Sequence, residues 1–244
     1  MKRLMVIGLS VLAVHCTSAY ASPSVSFKEL ALGMSKQTVE KSRKLKCQPT
    51  QASSILTSTT VRETRSIRKE ESLLSSRARS GDIQCSVKDP GTVGGMKIAY
   101  LELRFYGQLL GQIEISIAER GRSDPDYRGG GIWSSDNLTI LIKSLNDRFG
   151  QPTRSQEPDC SGGIGGCLRA PLKITSTWHP QDAEVKLMYW QSTTRGTPTL
   201  VYTSNPYQSE MQKYQAKADT LRQQAEGIEH EVAIRRAATR SADL

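Results

Sequence analysis

Two short stretches in the middle of the chain alternate strictly between apolar and polar residues, and they constrain the fold more than any other feature. Residues 101–105 read Leu-Glu-Leu-Arg-Phe and residues 113–117 read Ile-Glu-Ile-Ser-Ile, with Gly107 in the connection between them. A period of two residues is typical of a strand with one buried face. The pair therefore predicts an antiparallel hairpin.

Further strands and one strong helix extend this pattern. We expect strands near 173–178, 184–190 and 198–203, with a turn at 180–182. Residues 135–149 predict a helix that Ser134 or Ser135 caps and that ends at Gly150 and Pro152. Its apolar face consists of Leu138, Leu141, Ile142, Leu145 and Phe149.

Helices also flank this body on both sides along the chain. Ser35 is a good N-cap for a short helix with Val39 and Leu45 on its buried side. Consecutive strand hairpins with helices on one face predict an α+β fold with antiparallel sheet, and the pattern allows two similar halves. We divide the chain into a signal peptide (1–21), a first α+β half (22–120), a second α+β half (121–204) and a C-terminal helix (205–244).

The C-terminal segment carries an apolar seam with alternating spacings of four and three residues, which is typical of a helix in a coiled coil. Gly227 interrupts the segment at a cost of about 1 kcal/mol relative to Ala. The seam predicts either a long helix that packs on the protein's own domain or stands partly in solvent, or association with a partner or a second copy. Its residues are Tyr207, Met211, Tyr214, Ala218, Leu221, Ala225, Ile228 and Val232.

The N-terminal residues have the layout of a secretory signal peptide. Lys2 and Arg3 precede an apolar run, and a small-residue cleavage site ends at Ala21. Cleavage there removes two cations and lowers the formal charge from +9 to +7. The run is too short to span a bilayer, so we expect no transmembrane span after cleavage and a periplasmic or secreted protein. Lipidation at Cys16 is the alternative, which the bulky His15 before it disfavours.

Four cysteines remain after cleavage, an even number that predicts two disulfides in an oxidising compartment. They are Cys47, Cys85, Cys160 and Cys167. Three connectivities are open, and pairing of 47 with 85 and of 160 with 167 is the simplest. We expect no bound metal, because neither pair has the tight spacing of a zinc site.

The sequence contains no catalytic signature, which predicts a non-enzymatic protein without a cofactor. Only His179 and His230 remain as candidate bases, one beside a turn and one on the polar side of the C-terminal helix. Carboxylates such as Glu70 and Glu71 are interpreted as solvated loop charges. The Gly-rich stretch 160–167 lacks the Lys and Ser or Thr of a phosphate-binding loop and suits a disulfide-closed loop better.

The Ser/Thr-rich segment between residues 49 and 81 is basic and weakly periodic, and it predicts either an irregular strand with a loop or a mobile basic segment. From Glu40 to Arg79 there are ten Lys or Arg against four Glu. Such a stretch suits anionic lipid or cell-wall polymer. Nucleic acid is not expected, because the chain is exported and no aromatic residues interleave these charges.

The stretch 27–35, Phe-Lys-Glu-Leu-Ala-Leu-Gly-Met-Ser, followed by Val39, resembles the opening of small exported bacterial "LGMS" modules. Residues 145–152, Trp178 and the Leu-Val-Tyr of 200–202 look like their second half. Similar groups are the accessory lipoprotein of outer-membrane β-barrel assembly and the β-lactamase-inhibitor-like proteins. The resemblance covers residues 25–204 and implies their α+β fold and a role in binding proteins without chemistry; the heptad helix is extra.

The leading hypothesis is therefore an exported protein-binding module of the bacterial envelope that associates through its C-terminal helix. One alternative is a structural protein that docks its basic segment on anionic lipid or cell-wall polymer. Another, which follows from the resemblance alone, is an inhibitor of a periplasmic hydrolase.

Overall fold

A computed structural model describes residues 25–52, 62–117, 135–158, 172–190 and 197–242. The predictions for the signal peptide, for Cys16 and for the pair Cys160 and Cys167 lie outside the described residues, as does the predicted boundary between residues 120 and 121. The chain is mixed α and β, with an antiparallel sheet and a long C-terminal helix, which confirms the predicted fold class.

Eleven strands and four helices follow one another in the described parts of the chain. A single 3-10 turn, Arg62–Thr64, leads into the second helix. In chain order the elements are β1 (Ser26–Phe27), β2 (Leu30–Ala31), α1 (Lys36–Ser42), β3 (Leu45–Pro49), α2 (Arg65–Ser80), β4 (Ile83–Val87), β5 (Thr92–Val93), β6 (Met96–Tyr106), β7 (Leu109–Ile117), α3 (Ser135–Phe149), β8 (Thr153–Pro158), β9 (Leu172–Trp178), β10 (Ala183–Trp190), β11 (Thr199–Ser204) and α4 (Asn205–Ala242).

The main sheet has nine strands, and its order shows two similar halves. Eight strands follow the path β3-β4-β6-β7-β11-β10-β9-β8, and the short β5 pairs with β6. Each half is a helix followed by four antiparallel strands: α1 with β3, β4, β6 and β7, then α3 with β8, β9, β10 and β11. The last strands of the two halves, β7 and β11, pair at the centre. The two predicted halves therefore share one sheet.

One face of this sheet carries the core. The strict alternation in β6 and β7 places Leu103 and Ile113, which are paired across the strands, on the buried face. α1 adds Val39 to the same cluster, and α3 adds Leu138, Leu141 and Leu145. Burial of such side chains stabilises the fold by about 1.5–3 kcal/mol each.

Residues 32–35, which we call the LGMS turn, hold the start of α1 against the tip of the β6–β7 hairpin. Gly33 has a φ of 86°, a left-handed conformation that Gly adopts without strain, and its N–H donates to the carbonyl of Leu110 at 2.8 Å. The Ser35 hydroxyl accepts from the Thr38 N–H at 3.2 Å and caps α1. This confirms Ser35 as the predicted N-cap.

Trp178 attaches the end of α3 to the sheet. Its indole Nε1 lies 3.0 Å from the carbonyl oxygen of Gly150 and 3.2 Å from Asn146 Oδ1. The ring is 1% exposed. An indole N–H needs a partner when it is buried, and the helix end supplies two acceptors. The bounds of α3 agree with the prediction for 135–149.

The segment 49–81 corrects the sequence analysis. Residues 65–80 form the regular helix α2, whereas the sequence predicts an irregular strand with a loop or a mobile segment. Glu70 and Glu71 accordingly lie in a helix and form ion pairs with Lys217 and Arg222 of α4. The physical reason is that α2 has few apolar residues, of which Leu74 is buried, and that it packs against α4.

Candidate interaction surfaces

α2 and α4 pack side by side as an antiparallel pair, which we call the helical arm. Tyr214 lies beside Asp82 at the end of α2, and Glu229 lies beside Thr64 at its start. Ala218 and Ala225 on α4 are completely buried. Small side chains at these positions let two helices approach closely. The buried residues of the arm lie outside the sheet's core cluster.

The two helices of the arm are also joined by charged groups. Glu229 accepts from the Thr64 hydroxyl at 2.8 Å and from Arg68 Nη2 at 2.8 Å. Glu71 accepts from Arg222 Nε at 3.1 Å. The hydrogen bonds from Arg68 and Thr64 lower the pKa of Glu229, and the bond to Glu229 raises the pKa of Arg68. Both groups are therefore charged at neutral pH.

Tyr207 attaches the arm to the sheet. Its ring covers Gly111, an extra residue in β7 that has no partner opposite it in β6. A Cβ on Gly111 would lie 2.0 Å from Cδ2 of Tyr207, so only Gly fits there. Burial raises the pKa of Tyr207 to about 12. Its buried hydroxyl has no hydrogen-bond partner among the described groups.

The predicted partner-binding residues fall into two groups. Tyr207 and Met211 are buried within the protein itself, at 3% and 8% exposure, so in this conformation they cannot contact a partner. Their role in partner binding stays a prediction that this conformation does not support. The other members of the set are half-buried, and their role in partner binding stays a prediction; they are Tyr214, Leu221, Ile228 and Val232.

α4 continues well past the start of α2. From Glu229 to Ala242 it extends by about 20 Å, given the rise of an α-helix. Apart from Val232, the side chains described between 230 and 239 are exposed. Ile234 is 56% exposed. It lies on the opposite side of the helix from Ala225 and therefore faces away from the seam. We call this part, residues 230–242, the distal segment of α4.

The start of α2 carries three exposed cations: Arg62, Arg65 and Lys69. None of them forms an ion pair with another described residue. No acid lies in the first turn of α2, where the helix dipole favours negative charge. The carboxylate of Glu229 compensates part of this unfavourable arrangement.

The face of the sheet opposite the core carries a network of charges across β6 and β7. Arg104 Nε lies 2.6 Å from Glu102 Oε1, and its Nη2 lies 2.8 Å from Glu114 Oε2. The Tyr100 hydroxyl donates to Glu102 at 2.7 Å. Alternation predicted that these side chains share a face, but their mutual pairing requires the register of the two strands.

This network is fully satisfied. Burial acts to raise the pKa of Glu102, yet the bonds from Tyr100 and Arg104 outweigh it and leave that pKa lowered. Burial, with the bond to Glu102, raises the pKa of Tyr100 to about 12. Tyr100 is therefore a neutral donor and Glu102 a charged acceptor at neutral pH. The arrangement locks the strands together.

A cavity of about 430 Å³ opens at the end of the sheet where the LGMS turn lies. Segments distant in sequence build it: the β1–β2 region, the end of α3, the β9–β10 turn and the start of α4. Its wall is mostly apolar, and two charged residues border it. Its lining includes Val25, Leu32, Tyr106, Phe149, Arg148 and Asp182.

Cys47 and Cys85 form a disulfide, which confirms the first predicted pair. They are directly opposite in β3 and β4, with Cα atoms 4.0 Å apart.

His179 and His230 are both exposed. In the described ranges no group of three His, Cys, Asp or Glu side chains is placed to hold a metal ion. The described helices include none long and apolar enough to cross a membrane. The disulfide is compatible with an exported protein.

Comparisons of the chain with protein-family models, with curated proteins and with solved structures find no match.

Proposed function

We propose that this protein is an exported, non-enzymatic protein-binding module of the bacterial envelope, periplasmic or secreted, that associates through the distal segment of α4. The observation that carries the proposal is the exposure of this segment: α4 continues for over three turns beyond Glu229 with Ile234 56% exposed. The resemblance to LGMS modules supports the binding-module class.

The physical argument concerns the stability of an uncovered helix. A helical segment of about a dozen residues is marginal in water by itself. An exposed Ile on such a segment contributes nothing to its own fold, whereas a groove on a partner would bury it. Helix-in-groove recognition uses such apolar anchors at helical spacing. Arg235 and Arg236, next to Ile234 in sequence, would favour an acidic rim around that groove.

A truncation after Glu229 tests the proposal. Because Tyr207 attaches the arm to the sheet and Met211 is buried, a deletion from residue 206 would disturb the body. A chain ending at Glu229 keeps the pairs with Thr64 and Arg68. We expect normal thermal unfolding of this chain and loss of complex formation in its native envelope. Equal complex formation by the full-length and truncated chains would contradict the proposal.

Ile234→Ser is the corresponding point variant, and the chain offers a matched control. Ile140 on α3 is 59% exposed, close to the 56% of Ile234. We expect Ile234→Ser to weaken the complex at least tenfold and Ile140→Ser to leave it unchanged. The same loss with both variants would mean that general surface apolarity, and not the distal segment, drives association.

The second candidate function is docking on anionic lipid or cell-wall polymer. The observation that favours it is the group Arg62, Arg65 and Lys69, exposed at the start of α2 without an acidic partner in the described structure. Such attraction is screened within about 8 Å at physiological ionic strength. It therefore predicts salt-sensitive sedimentation with phosphatidylglycerol vesicles.

A charge-matched pair of triple variants tests this second candidate. Arg62→Gln, Arg65→Gln and Lys69→Gln together should abolish sedimentation with the vesicles. The control removes as many charges from the body, by Lys41→Gln, Lys44→Gln and Lys88→Gln. Equal loss of sedimentation with both triple variants would indicate that net charge alone drives binding.

Inhibition of a periplasmic hydrolase is an alternative that rests on the resemblance. It predicts a one-to-one complex with that enzyme.

A further inference from the structure

The cavity beside the LGMS turn has the size and lining of a ligand site. Its volume of about 430 Å³ lies within the range of roughly 300–1,000 Å³ that is usual for small-molecule pockets. Val25, Leu32, Tyr106 and Phe149 supply its apolar wall. These residues come from three separate parts of the chain, so the folded structure is required to form the site.

Arg148 borders the cavity in a fixed orientation. Its Nη1 donates to the carbonyl oxygen of Ser26 at 3.1 Å, and its Nη2 lies 3.2 Å from the Ser26 hydroxyl. Its Cζ lies 5.0 Å from the centre of the Phe149 ring. A guanidinium has five N–H donors, so donors remain for a ligand. In the described part of the chain Arg148 forms no ion pair with a carboxylate.

Asp182 borders the same cavity and gives it a negative group. The backbone carbonyl of Asp182 accepts from the Asn205 N–H at 3.0 Å, which holds the β9–β10 turn against the start of α4. The Tyr207 N–H is already bonded to the Ser204 hydroxyl. Since Pro206 has no N–H, the start of α4 has few donors left, and an anion would be held by Arg148.

We propose that this cavity binds an apolar α-amido carboxylate, meaning an N-acylated apolar amino acid or the C-terminal residue of a polypeptide. The apolar side chain fills the space against Phe149 and Leu32. The carboxylate binds the free N–H groups of Arg148, a geometry that guanidinium groups favour. The amide N–H points to Asp182, whose charge disfavours ligands with a second carboxylate. This site is independent of the proposed role of α4.

Calorimetric titration of the folded mature chain, with its disulfide intact, tests this proposal. The probes are N-acetylphenylalanine and N-acetylphenylalaninamide, which differ only in the carboxylate. We expect saturable binding of the acid and at least tenfold weaker binding of the amide, since a charge-assisted hydrogen bond accounts for about this factor. Equal binding of acid and amide, or no saturable binding of the acid, would overturn the proposal.

Three variants locate the site. Arg148→Gln should weaken binding of the acid at least tenfold, and Arg154→Gln on the exposed strand β8 should leave it unchanged. Asp182→Asn should weaken binding of N-acetylphenylalanine relative to decanoate, which has a carboxylate but no amide N–H. Asp182→Asn tests the assignment even if Arg148→Gln alters the fold. Unchanged binding in both Arg148→Gln and Asp182→Asn would place the ligand elsewhere and refute the site.

A further titration with peptides distinguishes the two sources of the ligand. A hexapeptide that ends in Phe is compared with the same peptide amidated at its C-terminus. Tighter binding of the free peptide than of N-acetylphenylalanine assigns the site to polypeptide C-termini, whereas equal affinity assigns it to the small molecule. Equal binding of the free and amidated peptides would contradict both.

Discussion

Arg68 on α2 and Glu229 on α4 form a bidentate ion pair. Nη2 lies 2.8 Å from Oε2, and Nε lies 3.2 Å from Oε1. The pair joins residues that are 161 positions apart in sequence. It also places a carboxylate at the start of α2, where the helix dipole favours one. The distal segment of α4 begins immediately after this contact, so the pair marks where the arm ends.

Glu229→Gln should loosen the start of α2 by about 1 kcal/mol, the usual upper value for an exposed ion pair. We expect faster hydrogen exchange of the amides in the first turns of α2. Glu226→Gln is the matched control, because Glu226 lies on the same helix and forms no ion pair with a described residue. Equal exchange in the two variants would contradict the role of Glu229.

Acid should loosen the arm in the same way. The hydrogen bonds from Arg68 and Thr64 lower the pKa of Glu229. A carboxyl group whose pKa is lower in the folded state gives stability that is complete above its unfolded pKa of about 4.3. This stability is lost as the pH falls through the lower folded value. We expect wild type and Glu229→Gln to differ at pH 7 and to converge below pH 4, as measured by hydrogen exchange.

Two tyrosines on α4 predict opposite effects of the same substitution. The buried Tyr207 hydroxyl lacks a partner, whereas the Tyr214 hydroxyl lies 3.2 Å from Asp82 Oδ1. An unsatisfied buried hydroxyl costs about 1–3 kcal/mol, and a satisfied bond contributes about 1 kcal/mol. Tyr207→Phe should therefore stabilise the protein and Tyr214→Phe should destabilise it. Urea unfolding of the two variants measures both signs.

Two glycines also predict opposite effects. Gly111→Ala would drive a methyl group into the Tyr207 ring and should destabilise the protein by about 1–3 kcal/mol. Gly227 has no atom within 4 Å of the position of a Cβ. Gly227→Ala should stabilise α4 by about 1 kcal/mol. Loss of stability in the second variant would show that α4 is not helical through this residue.

The disulfide predicts the largest loss of stability. Cys47 and Cys85 are separated by 38 positions, and in the chain-entropy view their bond contributes about 4 kcal/mol. We expect Cys47→Ser with Cys85→Ser to lower the free energy of unfolding by about this amount. A reducing agent should lower that of the wild type equally. An unchanged midpoint in urea would contradict the pairing.

The sequence predicts elements whose own periodicity is strong. The sequence predicts the bounds of α3 and the strands β6 and β7 because each of these elements has a complete buried face. The sequence does not predict α2 because polar residues face α4: Arg68 and Glu71 on α2, and Thr64 just before it. A heptad seam predicts a helical partner but does not tell whether that partner is in the same chain. Sequence patterns do not predict the cavity, because segments distant in sequence form it.

The arm illustrates the two interpretations that the seam allows. Its residues through Ala225 pack inside the protein, whereas α4 continues beyond them with Ile234 exposed and facing away from the seam. Packing within the protein therefore accounts for only part of the helix.

Photo-crosslinking from position 234 tests the central proposal most directly. A photoreactive phenylalanine analogue replaces Ile234 in one chain and Ile140 in another, and both proteins are irradiated in their native envelope. We predict a discrete crosslinked product from position 234 and none from position 140; its mass tells whether the partner is a second copy. No product from position 234, or the same products from both positions, would contradict association through the distal segment of α4.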